Sequence, residues 1–206
     1  MQWNILDFKY AWRISIIGFI ATYVGIFLSV YLSSSWFSWT ENALSDIGVN
    51  DAAIIFNSSM FIGGISSGIF AIAYIMRQER KLPIVAGYVI LLQSIFLFCI
   101  GLFVEGTRFY GINLHVLVAM LFFLLIPISM LIVLLDWVRN SAIRKYAIVP
   151  LVLSFVTPLL IIYRPWHGVA IPEILSSGTF AIWIAFLTYM ELYVFSKGVQ
   201  DSVNGA

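Results

Sequence analysis

Residues 114–135 read LHVLVAMLFFLLIPISMLIVLL, 22 residues with no Asp, Glu, Lys or Arg among them. As an α-helix this stretch is about 33 Å long, at about 1.5 Å per residue. The hydrocarbon core of a bilayer is roughly 30 Å thick, so the length suits a crossing. Five further apolar stretches lie at about 12–32, 53–76, 84–104, 146–162 and 174–195, making six in all. In lipid every backbone polar group must be satisfied within its own segment, so helices are the required form. The alternating pattern of a membrane β-barrel is absent. The expectation is an all-α, polytopic integral membrane protein: a six-transmembrane-helix bundle forming a single domain over 1–206.

Composition agrees. Of 206 residues, 62% are apolar and 10% charged, whereas soluble domains average about 45–50% and about 25%. The mean hydropathy is +1.00. So little charge cannot cover a sphere of this size in water, so lipid is the solvent for much of the surface. The balance of 11 basic to 10 acidic residues gives +1, which excludes nucleic-acid binding by phosphate neutralisation. A single cysteine, Cys99, excludes an internal disulfide framework and any multi-cysteine metal or iron–sulfur site. Within the third span it reads as a small buried apolar residue.

The basic residues sort by side. Lys9, Arg13, Arg77, Arg80, Lys81, Arg139, Arg144, Lys145 and Lys197 fall on one side, and only Arg108 and Arg164 on the other. The positive-inside rule makes the first side cytoplasmic, predicting a multi-pass protein of the cell membrane with N- and C-termini cytoplasmic. The first span is too long for a signal peptide, and no small-residue cleavage site follows it. The tight connections Arg77–Pro83 and Asp136–Lys145 make sequential helices antiparallel neighbours. The fifth span is short and carries Pro150 and Pro158, which predicts a kink or an early exit. The polar tail, 197–206, is expected to fray. Ser-Ser-Gly occurs at 66–68 and again at 176–178; the two lie at different depths and read as close-packing surfaces rather than a duplication.

The outward connections hold the unusual residues. In the segment 33–52, Trp36, Trp39, Ala43, Leu44 and Ile47 fall on one helical arc, opposite Ser38, Glu41, Asn42 and Ser45, with Gly48 able to end the turn. This predicts a short outward amphipathic segment lying at the bilayer surface. Both histidines, His115 and His167, belong to the same side, with Glu41, Asp46, Asp51, Glu105 and Glu173. Titratable groups at the mouth of a bundle are costly near lipid and make a candidate pocket. Deeper, Asn57 lies about a turn into the second span and Gln93 at the middle of the third, where an interhelical hydrogen bond is expected. Glu191, near the inner end of the sixth span, can snorkel to the interface and reads as structural.

The run Asn42-Ala-Leu-Ser-Asp-Ile-Gly48, then Ile55-Phe-Asn57 and Phe61-Ile-Gly-Gly64, resembles the N-x-L-S-D-x-G…F-N…G-G pattern of the DUF998 family. Gly101-Leu-Phe-Val-Glu105, His115 opening an apolar span, Phe122-Phe123, Pro127 and Gly168-Val-Ala-Ile-Pro-Glu173 are similar to later stretches of that family. The family's last loop commonly continues Glu-Arg, where this chain has Ile174. The resemblance, over about residues 12–195, implies a six-helix membrane bundle with its motif residues on the outward side. It implies no reaction.

Two readings follow. The first is a lipid- or amphiphile-binding protein or accessory subunit, with a ligand-binding set of Asn42, Ser45, Asp46, Asn57, Glu105, Arg108, His115, His167 and Glu173. Glycine-faced helices would shape a groove for the tail. The second is a membrane-embedded hydrolase or transferase acting on lipid-like substrates, with His115 as base, Asp46 or Glu105 orienting it, and Ser45 as nucleophile. A zinc version would use His115, His167 and one of Asp46, Glu105 or Glu173. No H-E-x-x-H spacing occurs, and no metal or cofactor is expected. A haem held by His115 and His167 fits paired helical ligands poorly, and a transporter lacks a convincing inverted repeat. Membrane lipids are the expected partners, and both a homo-oligomer and a larger membrane complex stay open. The readings share one geometric requirement: Asp46, Glu105, His115 and Glu173 should converge around a cavity.

Overall fold

The computed structural model describes residues 7–195; Lys197 and the polar tail lie outside them. Helix α1 spans Phe8–Leu32, α2 Ala53–Arg77, α3 Lys81–Leu102, α4 Leu114–Trp137, α5 Ile148–Ile162 and α6 Ala170–Tyr189, with α6 continuing as a π-helical turn over Met190–Phe195. Taking in the short 3-10 turn Arg144–Ala147 before α5, six helical segments are long and apolar enough to cross a membrane. The chain is therefore a multi-pass membrane protein by length and composition. One end of the bundle, here called upper, carries the segment 33–52 and the α3–α4 and α5–α6 connections.

Helix starts follow from capping. The Asp7 carboxylate accepts the Lys9 N–H at 2.9 Å, so α1 begins ahead of its apolar run. Pro150 falls in the first turn of α5, where its missing N–H costs little. The helix then runs through Pro158 to Ile162.

Successive helices pack as antiparallel neighbours, and α6 returns to touch both α4 and α1. Helices α1, α2, α3, α4 and α6 thus enclose an interior, while α5 lies outside, against α4 and α6. Small residues set the spacing, as they do where no hydrophobic force pulls helices together in lipid. A Cβ added at Gly64 of α2 would lie 2.7 Å from the Phe98 backbone N of α3. Hydroxyls add bonds between helices: Thr22 of α1 donates to the Ser59 carbonyl of α2 at 3.2 Å, and Ser15 to the Ser66 carbonyl at 3.2 Å.

The lower end is tied by charge. Glu191, buried in the π-helical turn, accepts from Arg77 Nε at 2.9 Å and from Gln78 Nε2 at 2.6 Å. Arg80 pairs with Asp136 at the end of α4. Glu191 therefore does not snorkel; it clamps α6 to the end of α2.

Two further sequence expectations differ from the structure. The segment 33–52 is not a surface helix. It forms turns and a 3-10 helix, Leu44–Val49, whose Leu44, Ser45, Ile47 and Gly48 are all buried. Leu44 and Ile47 gain more by plugging the open top of the bundle than by lying in the interface, and Gly48 sits inside the turn rather than ending it. Between α3 and α4, the connection is a short hairpin of β1 (Arg108–Phe109) and β2 (Ile112–Asn113). Its two-residue turn, Tyr110-Gly111, has φ values of 47° and 81°, as a primed hairpin turn requires. Finally, Gln93 is fully buried, and among the described residues its amide has no hydrogen-bond partner.

Candidate functional site

The 3-10 turn is held from four directions. The Asp46 carboxylate accepts the Ala43 N–H at 2.9 Å and the Asn42 side-chain amide at 3.2 Å. Asn57, one turn into α2, donates to the Gly48 carbonyl at 3.0 Å. The Leu44 N–H donates to Glu173 Oε2, in the first turn of α6, at 2.7 Å. Ser45 Oγ donates to Glu105 Oε2 of the α3–α4 connection at 3.3 Å. Asn42 also closes the start of α6, because its carbonyl accepts the N–H groups of Val169 at 3.1 Å and Ala170 at 3.0 Å. The first amides of a helix lack intrahelical partners, so this contact starts α6 ahead of its apolar run. It requires Gly168: a Cβ there would lie 2.5 Å from the Asn42 backbone N.

His115 completes the arrangement. It is 4% exposed, and its Nδ1 lies 2.7 Å from the Phe103 carbonyl at the end of α3. A carbonyl only accepts, so Nδ1 carries the proton. That leaves Nε2, 3.5 Å from Glu105 Oε2, as the nitrogen open to a ligand or a further proton. Ser45 Oγ and His115 Nε2 therefore meet on one carboxylate oxygen.

Beneath this polar roof lies a cavity of about 60 Å³. Ser45, His115 and Glu173 line its top; Phe19, Phe56, Leu97, Phe122 and Phe180 are among its walls. All five enclosing helices contribute to the lining and α5 does not.

The candidates thus divide. Ser45, Glu105, His115 and Glu173 converge on the cavity or on each other. Asn42, Asp46 and Asn57 shape the turn that carries Ser45, so Glu105 rather than Asp46 stands beside His115. Arg108 is exposed on β1, and His167, 89% exposed on its side chain, faces Glu41 at 3.2 Å. The set His115, His167 and Glu173 is therefore not brought together. Among the described residues no group of three His, Cys, Asp or Glu is placed to hold a metal.

Sequence reasoning missed Tyr23 of α1 and Ser177 of α6. Both line the cavity, and the Tyr23 hydroxyl donates to Ser177 Oγ at 3.2 Å. The available signal was a phenol within an apolar span and the second Ser-Ser-Gly cluster.

No curated protein and no solved structure gives a match. The profile of the family described as "Protein of unknown function (DUF998)" matches residues 16–190. This stretch takes in the whole roof and the cavity beneath it. By this match, the chain belongs to the DUF998 family.

Proposed function

We propose that this membrane protein binds a lipid or other amphiphile at its upper end, with the headgroup against Ser45, His115 and Glu173 and the first carbons among the aromatic walls. One observation carries the reading: a buried imidazole, a hydroxyl and a carboxylate line the roof of a cavity whose remaining walls are mostly apolar. Binding sites for small molecules pair such apolar walls with a few converging polar groups. The carboxylates of Glu105 and Glu173 and the single imidazole favour a headgroup that donates hydrogen bonds over a phosphate. The basic residues point the upper end outward and leave both termini cytoplasmic.

Gentle solubilisation followed by native mass spectrometry tests the reading. The expected result is an enriched amphiphile on the wild-type chain that is depleted in His115→Ala. Protein carrying no enriched amphiphile would sink it.

A hydrolase or transferase acting on a lipid-like substrate is the second reading, favoured by the meeting of Ser45 Oγ and His115 Nε2 on Glu105. The order is serine–carboxylate–imidazole, so Glu105 is the group within reach to take the hydroxyl proton. Turnover of a long-chain ester, lost in Ser45→Ala, would favour this reading over simple binding.

A further inference from the structure

The roofed cavity is too small for a whole amphiphile, so a bound chain must leave it somewhere. A second, larger space of about 550 Å³ lies between α1 and α6 on the lipid-facing side. Its lining is apolar: Ile16, Ile20, Val24 and Phe27 from α1, and Ala181 and Ala185 from α6 among others. Two residues, Phe19 and Tyr23, line both spaces. They form the partition between the interior cavity and the lipid-facing cleft.

The partition is made of side chains, and both residues common to the two linings belong to α1. Ser177, Ala181 and Ala185 recur every four residues and so stack along one face of α6. The cleft extends along α1 from Ile16 to Phe27, about 16 Å of helix rise. The Tyr23–Ser177 hydrogen bond crosses the seam, and Ser177 Oγ itself donates to the Ile174 carbonyl at 3.0 Å. Phe19 is held edge-on against Phe180 with ring centroids 5.7 Å apart. Rotating the Tyr23 side chain away from α6 breaks that one neutral hydrogen bond.

We propose that the α1–α6 seam is a lateral portal, with the Tyr23–Ser177 bond as its latch. Through it the alkyl chain of a bilayer amphiphile passes from the lipid-facing cleft into the cavity. The occupant is an alkyl chain because both sides of the partition are apolar and the outer side opens onto the lipid-facing surface of the spans. The proposal rests on the amphiphile-binding reading and adds the route.

The test uses the full chain in phosphatidylcholine nanodiscs and a long-chain monoalkyl glycerol with a diazirine near its headgroup. After mixing, samples are flashed at successive delays, and adducts on Ile100, Phe122 and Phe123 report arrival in the cavity. Ala181→Trp combined with Ala185→Trp fills the cleft without touching the cavity, and should slow arrival at least about five-fold. Tyr23→Phe, which removes only the latch hydroxyl, should speed arrival about two-fold or more. It also keeps the proposal open to refutation should the double variant fold poorly. Unchanged arrival in a folded double variant, or no acceleration in Tyr23→Phe, overturns the portal while amphiphile binding stands. A wild-type cavity that is never labelled overturns both.

Discussion

The Leu44 N–H donates to the Glu173 carboxylate across 2.7 Å, joining residues 129 apart in the chain. The bond docks the 3-10 turn onto the first turn of α6 and so closes the roof over the cavity. Ser45 follows Leu44 directly, so its hydroxyl is aimed by the same contact.

Replacing Glu173 tests that docking. Glu173→Ala leaves the Leu44 amide without its acceptor, at a cost of about 1–3 kcal/mol. Glu173→Gln keeps a side-chain oxygen for the same amide and should lose less than half as much. Thermal unfolding in a fixed detergent separates the two, and equal losses would show that the hydrogen bond is not what matters.

Gly168→Ala puts a methyl 2.4 Å from the Asn42 carbonyl oxygen and 2.5 Å from its backbone N, against backbone with no flexible side chain to yield. The expected cost is about 1–3 kcal/mol or more. Gly68→Ala is the matched control, since its Cβ would meet its nearest neighbour, Ser94, at 3.7 Å. That change should be neutral or gain up to about 1 kcal/mol from helix propensity. Similar melting temperatures for the two variants would refute the close approach.

At the lower end, Arg77→Ala removes a guanidinium from the buried Glu191 carboxylate. Loss of one partner of a buried pair costs about 3–5 kcal/mol, but the Arg77 side chain is 41% exposed, so about 1–3 kcal/mol is expected here. The double variant Arg77→Ala, Glu191→Gln should recover part of that loss. A double-mutant cycle with no coupling between the two positions would contradict the clamp.

His115 offers a spectroscopic check. With Nδ1 donating to the Phe103 carbonyl, nitrogen-15 spectra of the histidine-labelled protein should show the Nδ1-protonated tautomer for the neutral ring. His167, exposed beside Glu41, should instead exchange rapidly with water. His115→Asn, which retains a donor near Phe103, should melt above His115→Ala. Finding Nε2 protonated and Nδ1 bare would reverse the tautomer assigned to the ring.

The six spans were legible in the sequence because lipid makes each helix satisfy its own backbone. A long apolar run such as 114–135 therefore declares its structure without reference to any partner. The end that collects polar groups was legible too, because charge and imidazole are driven out of hydrocarbon one residue at a time. Which of those groups meet was a different matter. Ser45 and Glu105 are 60 positions apart and Leu44 and Glu173 are 129 apart, and no local pattern encodes such pairings. The helical arc drawn through Trp36, Trp39 and Leu44 was a sound local pattern, yet the open top of the bundle offered Leu44 and Ile47 a better burial. His167 and His115 looked alike in sequence, and only packing put one under the roof and the other against Glu41. The chain by itself therefore determined a six-helix membrane protein with its candidate site residues gathered at one end. The tertiary structure decided which four residues, Ser45, Glu105, His115 and Glu173, meet each other or the cavity at that end, because burial and long-range hydrogen bonds are properties of the packed bundle and not of any one segment.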